Sequence, residues 1–292
     1  MTSRTAIALL SVSLVAPLSA STARVLFDNG PLVTHPGGGY GGADASRMWG
    51  YMQTYGFGNQ FAYGHRLGDD FVVPAGGWNV GTIVLFAYQT GSPTSPSPIT
   101  GVYLQIWNGY PGWPGSSVVF GDLTTNRLVS SVWSGIYRDS EFFPGDNSRP
   151  IMANTVAVNT YLPPGTYFLD WLTDGSPSYP GPWVPAVTIL DEYYTGNAQW
   201  YSPTWDPGWQ PLRDYGSDAQ QGLPFIIYAA EGSTIPEPGT IGLSGVGLVV
   251  FLVAAGRRKA SNRGLLARPS APCAKCRPGP SSSAAGLAAT MA

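Results

Sequence analysis

The chain has 292 residues, a formal net charge of −2 and a charged fraction of only 11%. All 17 acidic residues lie at or before Glu237, whereas seven of the 15 basic residues follow it. The stretch from residue 24 to residue 235 contains no lysine, so it lacks the basic patch that binds nucleic acid, and we expect no nucleic-acid partner.

The N-terminal residues have the three parts of a secretory signal peptide. Arg4 supplies the charge, an apolar run extends from residue 6 to residue 18, and the small residues Ala20 and Ala23 follow. A short helix of the protein core is the alternative, but nothing amphipathic interrupts the run. We therefore expect a signal peptide with a helical apolar segment over residues 1–23, and export by the general secretion machinery.

Residues 24–235 are predicted to form one all-β domain. The chain contains 38 Gly and 27 Pro, a composition that could indicate disorder, but it also contains 10 Trp, 16 Tyr and 11 Phe, which provide ample apolar area for a core. Gly and Pro are better interpreted as turn residues between many short strands. The predicted architecture is a single antiparallel β-sandwich of jelly-roll type.

Ten stretches rich in β-branched and aromatic residues are predicted strands. They are residues 24–28, 70–73, 80–88, 101–107, 117–120, 127–133, 155–158, 165–171, 186–190 and 224–230. In the fourth, Val102, Leu104 and Ile106 alternate with side chains that include two aromatics, which predicts a buried and a less buried face. Only residues 46–53 show a weak helical period.

Both cysteines, Cys273 and Cys276, lie in the last twenty residues. The predicted outer domain therefore has no disulfide, and its stability must come from its core and its strand pairing. The spacing of the two cysteines equals half a zinc site, but no second pair and no histidine follows.

The C-terminal region combines three features in a fixed order. Pro236, Glu237 and Pro238 precede an apolar run from residue 241 to residue 256, and Arg257, Arg258 and Lys259 come directly after it. A helix of that length reaches about 24 Å and can span a membrane only marginally. The basic cluster predicts that its C-terminal end stays in the cytoplasm and that the β domain is outside.

This order resembles the PEP-CTERM sorting domain of Gram-negative bacteria. The resemblance implies that residues 236–259 are a sorting signal for an exosortase-type membrane protease, with Pro236, Glu237 and Pro238 as the recognition motif. It also implies a transient transmembrane helix at 241–256 and a stop signal at Arg257, Arg258 and Lys259. The protein would pass through an inner-membrane-anchored intermediate to the cell surface or extracellular matrix. A plain tail anchor is the alternative.

Residues 260–292 depart from this family pattern, in which the chain ends a few residues after the basic cluster. They are rich in Ser, Ala, Pro and Arg and poor in large apolar side chains, so we expect a disordered basic tail. A genuine cytoplasmic tail and a reading frame that has run on are both consistent with this composition.

Catalysis has little support in residues 24–235. The stretch has no cysteine and no G-x-S-x-G motif, and only His35 and His65 could serve as a base. Glycoside hydrolysis needs two facing carboxylates, for which Glu141 and Glu192 are candidates. We expect a non-catalytic domain, with a secreted glycoside hydrolase or lyase on a jelly-roll scaffold as the alternative. The segments DDFVVPAGGW and LPPGTYFLDW resemble uncharacterised ectodomains attached to PEP-CTERM signals. That resemblance implies secretion and a β-sandwich and carries no assigned activity.

Aromatic residues among turn residues are the candidate binding groups, because sugar rings pack on Trp and Tyr. The candidates for polysaccharide binding are Trp200, Tyr201, Trp205, Trp209, Tyr110, Trp113 and Trp183. Their alternative role is to cap the open ends of the sandwich as part of the core. Pro203 and Pro207 are expected to interrupt strand pairing in the segment 200–209.

No cofactor is required by any motif, although calcium is a candidate structural ion. Asp28, Asn29, Asp69 and Asp70 could supply its oxygen ligands if the first strand lies beside the strand that contains Asp70.

Overall fold

The computed structural model describes residues 23–204 and 206–231, which fold into fourteen strands and two short 3₁₀ turns. The strands are β1 Val25–Asp28, β2 Asp44–Met48, β3 Phe57–Gly58, β4 Arg66–Val73, β5 Trp78–Ala87, β6 Ile99–Trp107, β7 Val118–Asp122, β8 Leu128–Ser140, β9 Pro150–Leu162, β10 Gly165–Gly175, β11 Trp183–Val184, β12 Gln199–Ser202, β13 Asp206–Pro211 and β14 Phe225–Ala229. The 3₁₀ turns are Tyr40–Gly42 and Phe61–Tyr63. The prediction of an all-β domain is confirmed.

Two six-stranded sheets contain most of the strands. Sheet I has the order β1-β14-β5-β9-β8-β2 and sheet II has the order β13-β12-β4-β10-β6-β7, while β11 and β3 form a separate two-stranded sheet. One core lies between sheets I and II, since a single cluster of buried apolar residues draws members from both. The rings of Trp171 in sheet II and Phe225 in sheet I are 6.4 Å apart. The two sheets therefore pack face to face, and the jelly-roll order stays a prediction.

Strand β6 follows the predicted alternation. Val102, Leu104 and Ile106 are fully buried, whereas Tyr103 and Trp107 are partly exposed on the opposite face. Alternate residues of a strand point to opposite faces, so the core side of sheet II could be identified from this pattern.

The prediction that all strands are antiparallel was wrong at one edge of sheet I. Strand β2 pairs in parallel with β8, from Asp44 opposite Ile136 to Met48 opposite Ser140. Arg47 of β2 donates two hydrogen bonds to Asp139 of β8, at 3.0 and 2.7 Å. A bidentate ion pair between strands so distant in sequence leaves no local pattern, and the weak helical period of residues 46–53 was misleading.

Residues 186–190 are not a strand, in contrast to the prediction. Val187 N–H donates to Gly222 O, and Thr188 N–H donates to Pro31 O, each at 2.9 Å. The backbone is thus satisfied by single bonds to two different segments, and no continuous ladder forms. The apolar side chains of Ala186 and Val187 are nevertheless buried, as the pattern indicated.

The predicted signal helix at 1–23, the transmembrane helix at 241–256 and the tail at 260–292 lie outside the described residues, apart from Ala23. Across residues 23–204 and 206–231, no helix is both long and apolar enough to cross a membrane.

Candidate functional site

A cleft of about 1470 Å³ opens at the end of the sandwich where β5 and β10 finish. Its walls come from four parts of the chain: residues 54–67, which include β3, the following 3₁₀ turn and the start of β4; the segment from the end of β10 to β11; strand β12 with Thr204; and Leu212 with Arg213. The aromatic lining residues are Phe57, Phe61, Tyr63, Tyr179, Trp183 and Trp200. This lining gives the cleft several flat apolar surfaces.

Trp183 is held at the cleft by its backbone. It exchanges two hydrogen bonds with Tyr88, both at 2.9 Å, and it pairs with Gly58 in the small sheet. Gly56 lies close behind, where an added Cβ would be 2.7 Å from the Tyr88 hydroxyl oxygen and 2.9 Å from the Trp183 Cβ. Only glycine fits this approach, so the position of Trp183 depends on it.

Trp200 also lines this cleft. It lies on β12, is half-buried, and packs against the main apolar core. Trp183 and Trp200, both predicted binding residues, are therefore brought to one cavity from separate strands. Trp200 also packs against the core, which was the alternative to a binding role for these aromatic residues.

Polar groups on the cleft wall are fixed in orientation. The Gln60 side-chain amide donates to Pro182 O at 2.9 Å, and its oxygen lies 2.9 Å from His65 Nδ1. Because that oxygen can only accept, His65 Nδ1 must carry the proton. Burial lowers the pKa of His65 below its usual value, which favours the neutral ring at neutral pH.

Acidic residues are sparse among the described residues that line the cleft. Among the described residues that line it, Asp174 carries the one carboxylate. Glu141 and Glu192, the two glutamates considered for acid–base catalysis, are exposed and lie outside the lining. Glu141 instead accepts a hydrogen bond from Gly50 N–H at 2.9 Å. The arrangement provides stacking surfaces and hydrogen-bonding groups, which suit binding.

Tyr201 and Trp209 lie on the other side of the β12–β13 hairpin, on the outer face of sheet II. They are cross-strand partners, with ring centroids 5.8 Å apart. The Arg66 guanidinium lies 4.9 Å from the Tyr201 ring and 5.0 Å from the Trp209 ring. Neighbouring residues on a strand point to opposite faces, so Trp200 and Tyr201 do not share a surface. Trp205 lies outside the described residues.

Sequence reasoning missed the buried ion pair beneath these two rings. Asp170 is fully buried and accepts hydrogen bonds from Arg66 Nε at 2.9 Å, Gln105 Nε2 at 2.7 Å and Trp107 Nε1 at 3.1 Å. A single acidic residue within the apolar run of β10 was the available signal, because a charge at such a position needs a partner.

Tyr110 and Trp113 continue the outer aromatic face. The Tyr110 hydroxyl donates to Gln199 Oε1 at 2.9 Å, and its ring lies 5.3 Å from that of Phe168. Trp113 is 67% exposed and lies 5.2 Å from Tyr110 between ring centroids. Neither residue lines the cleft, so the predicted aromatics are divided between two surfaces.

The candidate calcium ligands are only partly brought together. Asn29 Nδ2 donates to Asp69 Oδ2 at 2.8 Å, whereas Asp28 accepts from Gly30 N–H and Asp70 accepts from Asn197 Nδ2. Strands β1 and β4 belong to different sheets. Within the described part of the chain, no group of three His, Cys, Asp or Glu residues could hold a metal ion. Calcium binding stays a prediction, which thermal unfolding with and without a chelator would test.

The fold and the cleft define a β-sheet domain with an open, aromatic-lined cavity. Comparison with protein families matches the PEP-CTERM protein-sorting motif to residues 234–259. The chain thus carries this motif where the sequence resemblance predicted it, with Pro236, Glu237, Pro238 and the basic cluster inside the match. The motif implies export, a membrane-anchored sorting intermediate and processing by exosortase, a membrane protein. No curated protein and no solved structure matches the chain.

Proposed function

We propose that this chain is an exported, exosortase-processed protein of the cell surface or extracellular matrix, and that its β domain binds polysaccharide without catalysing a reaction on it. The observation that carries the proposal is the cleft in which Trp183 and Trp200 meet fixed polar groups. The sorting motif at residues 234–259 accounts for its export.

The physical basis of binding is the combination of rings and hydrogen-bonding groups. The C–H faces of sugar rings pack on aromatic side chains, which removes apolar area from water. Tyr63, Tyr179 and Thr204 add hydroxyl groups to the lining, and hydroxyls both donate to and accept from sugar hydroxyls. The cleft is also larger than the 300–1000 Å³ typical of small-molecule pockets, so it has room for several sugar rings.

Two features favour binding over hydrolysis. Acid–base cleavage of a glycosidic bond uses a pair of carboxylates, and Asp174 is the one carboxylate among the described lining residues. The structure keeps Glu141 and Glu192 away from the cleft. A hydrolase of the usual two-carboxylate kind is therefore the less supported alternative.

Replacing Trp183 with Ala tests the proposal. We expect retention of the exported protein on the host's own extracellular polysaccharide to fall about tenfold, since losing one stacking ring removes more than about 1 kcal/mol. Retention would be measured by affinity electrophoresis, with thermal unfolding recorded in parallel to show that the fold is kept.

Trp113→Ala is the matched control, because Trp113 is 67% exposed and lies outside the cleft lining. It should change neither retention nor stability. Equal retention of the wild type and the Trp183→Ala variant, with both folded, would rule out the cleft as the binding site.

A further inference from the structure

The cleft contains few formal charges, and they cancel. Asp174 and Arg213 are the two residues of the described lining that are charged at neutral pH, given that burial lowers the pKa of His65. Arg213 is already engaged: its Nη1 donates to the Asp218 carbonyl oxygen at 2.7 Å and lies 3.7 Å from the Asp218 carboxylate. Within the described lining, therefore, no cation without an acidic partner faces a carboxylate or sulfate group on a ligand.

The charge of the surrounding domain also opposes an anionic ligand. Between residues 23 and 231 the chain has sixteen acidic residues against seven arginines, and no lysine. Five of those arginines form ion pairs with aspartates. The net field of such a domain repels a polyanion as it approaches, and repulsion of this kind lowers both the association rate and the affinity.

From this charge distribution we infer that the ligand of the cleft is a segment of an uncharged polysaccharide, and that acidic polymers such as polyuronates are discriminated against. The inference rests on the proposed polysaccharide-binding function and names the class of polymer. The uncharged hydroxyl and amide groups of the lining complement sugar hydroxyls, while the aromatic faces hold the rings. Specificity then arises because an acidic sugar would bury its charge beside Asp174 without a free cation.

The host's extracellular polysaccharide, separated by anion exchange into uncharged and acidic fractions, is the probe for this inference. The exported protein purified from the host should bind the uncharged fraction at least about tenfold more tightly than the acidic one. Its affinity for the uncharged fraction should change less than about twofold between low and physiological salt, because no ion pairs form on binding.

Two further variants separate the outcomes. Trp113→Ala, which alters a residue outside the cleft lining, should leave binding of the uncharged fraction within about twofold of the wild type, whereas Trp183→Ala should weaken that binding about tenfold. Preferential, salt-sensitive binding of the acidic fraction that is lost in Arg213→Gln would overturn the inference and leave the proposed function intact. Binding of neither fraction by the folded protein would overturn both. Binding of the uncharged fraction that Trp183→Ala does not weaken would place the site elsewhere and overturn the inference.

Discussion

Asp69 links the two sheets through a single buried carboxylate. It lies on β4 of sheet II and is 2% exposed. Its Oδ2 accepts from Asn29 Nδ2 at 2.8 Å and from Leu223 N–H at 2.9 Å, and these residues flank β1 and β14 of sheet I. Burial raises the pKa of Asp69 to about 7, although the donated hydrogen bonds oppose the rise.

This raised pKa predicts that stability falls as the pH rises. In the unfolded chain an aspartate titrates near pH 4, so between about pH 4 and 7 the folded state keeps a proton that the unfolded state has lost. The free energy of unfolding should therefore decrease through this window. Asp69→Asn should remove most of that decrease, by at least about 1 kcal/mol between pH 5 and pH 7.

Urea unfolding at pH 5 and pH 7 measures how the free energy of unfolding changes with pH in the wild type and in Asp69→Asn. The slopes are compared and not the absolute stabilities, because an amide at position 69 would face the Asp70 N–H that now donates to Asp69 Oδ1 at 3.0 Å. Asp191→Asn, at an exposed position, is the matched control and should keep the wild-type slope. An unchanged slope in Asp69→Asn would show that this carboxylate is not the source of the pH dependence.

At the scale of whole elements, the sequence predicted strands with one apolar face and missed strands held by polar contacts. Strand β6 was found because its apolar residues alternate. Strand β8 was predicted to end at residue 133 but continues to Ser140. The part of β8 beyond residue 133 includes Arg138, which is fully buried and donates to Ser46 Oγ and Thr188 Oγ1. Partners so distant in sequence cannot be inferred from local composition.

The β12–β13 hairpin shows a second limit of sequence reasoning. Pro207 lies within β13, at the point where the β12–β13 pairing shifts register between Ser202–Asp206 and Tyr201–Trp209, so the expected interruption is a local irregularity inside a strand that the sequence did not predict. That strand forms the edge of sheet II, where a missing N–H leaves no ladder bond unmade. The aromatic content of the candidate site was predictable from the sequence, whereas the division of these residues between the cleft and the outer face was not. Whether Trp200 shares a face with Tyr201 depends on strand pairing.

The buried ion pair of Arg66 and Asp170 is expected to stabilise sheet II and this hairpin. It connects β4 with β10, while Gln105 and Trp107 connect Asp170 to β6. Asp170→Asn would leave Arg66 without its charged partner in a buried setting, so we expect a loss of about 3 kcal/mol in the free energy of unfolding. The Arg66 contacts with Tyr201 and Trp209 should loosen too, which tryptophan fluorescence would report.

Asp146→Asn provides the comparison for this prediction. Asp146 forms an ion pair with Arg149, but its side chain is 26% exposed, and pairs near the surface contribute about 0–1 kcal/mol. Urea unfolding of the two variants should therefore differ by more than about 1 kcal/mol. Equal losses would mean that the Asp170 network adds no more than a surface pair.

On the scale of the whole domain, the cleft and the last described residue, Glu231, lie at opposite ends of the sandwich. The cleft lies where β5 ends, whereas β14 ends beside the start of β5, with Ala230 N–H donating to Asn79 O at 2.9 Å. Ten residues of extended strand span about 30 Å, which separates the cleft from Glu231. In the sequence, the sorting motif begins at residue 234, shortly after Glu231.

This separation leads to a prediction about the order of sorting and binding: the cleft should bind polysaccharide before processing as well as after it. In wild-type cells, intact-mass measurement of the stable surface form should show loss of the N-terminal segment near residue 20 and of the C-terminal segment near Pro236–Pro238.

Replacing Pro236, Glu237 and Pro238 together by Ala should keep the protein in the membrane fraction at the larger mass. That unprocessed variant should still retain the host's uncharged polysaccharide on intact spheroplasts, because none of the three substituted residues belongs to the described lining of the cleft. Changing Cys273 and Cys276 to Ala, outside the motif, is the control and should leave processing as in the wild type. A wild-type surface form that still contains residues 241–259 would reduce the segment to a plain anchor, and loss of retention in the unprocessed variant would mean that binding depends on release.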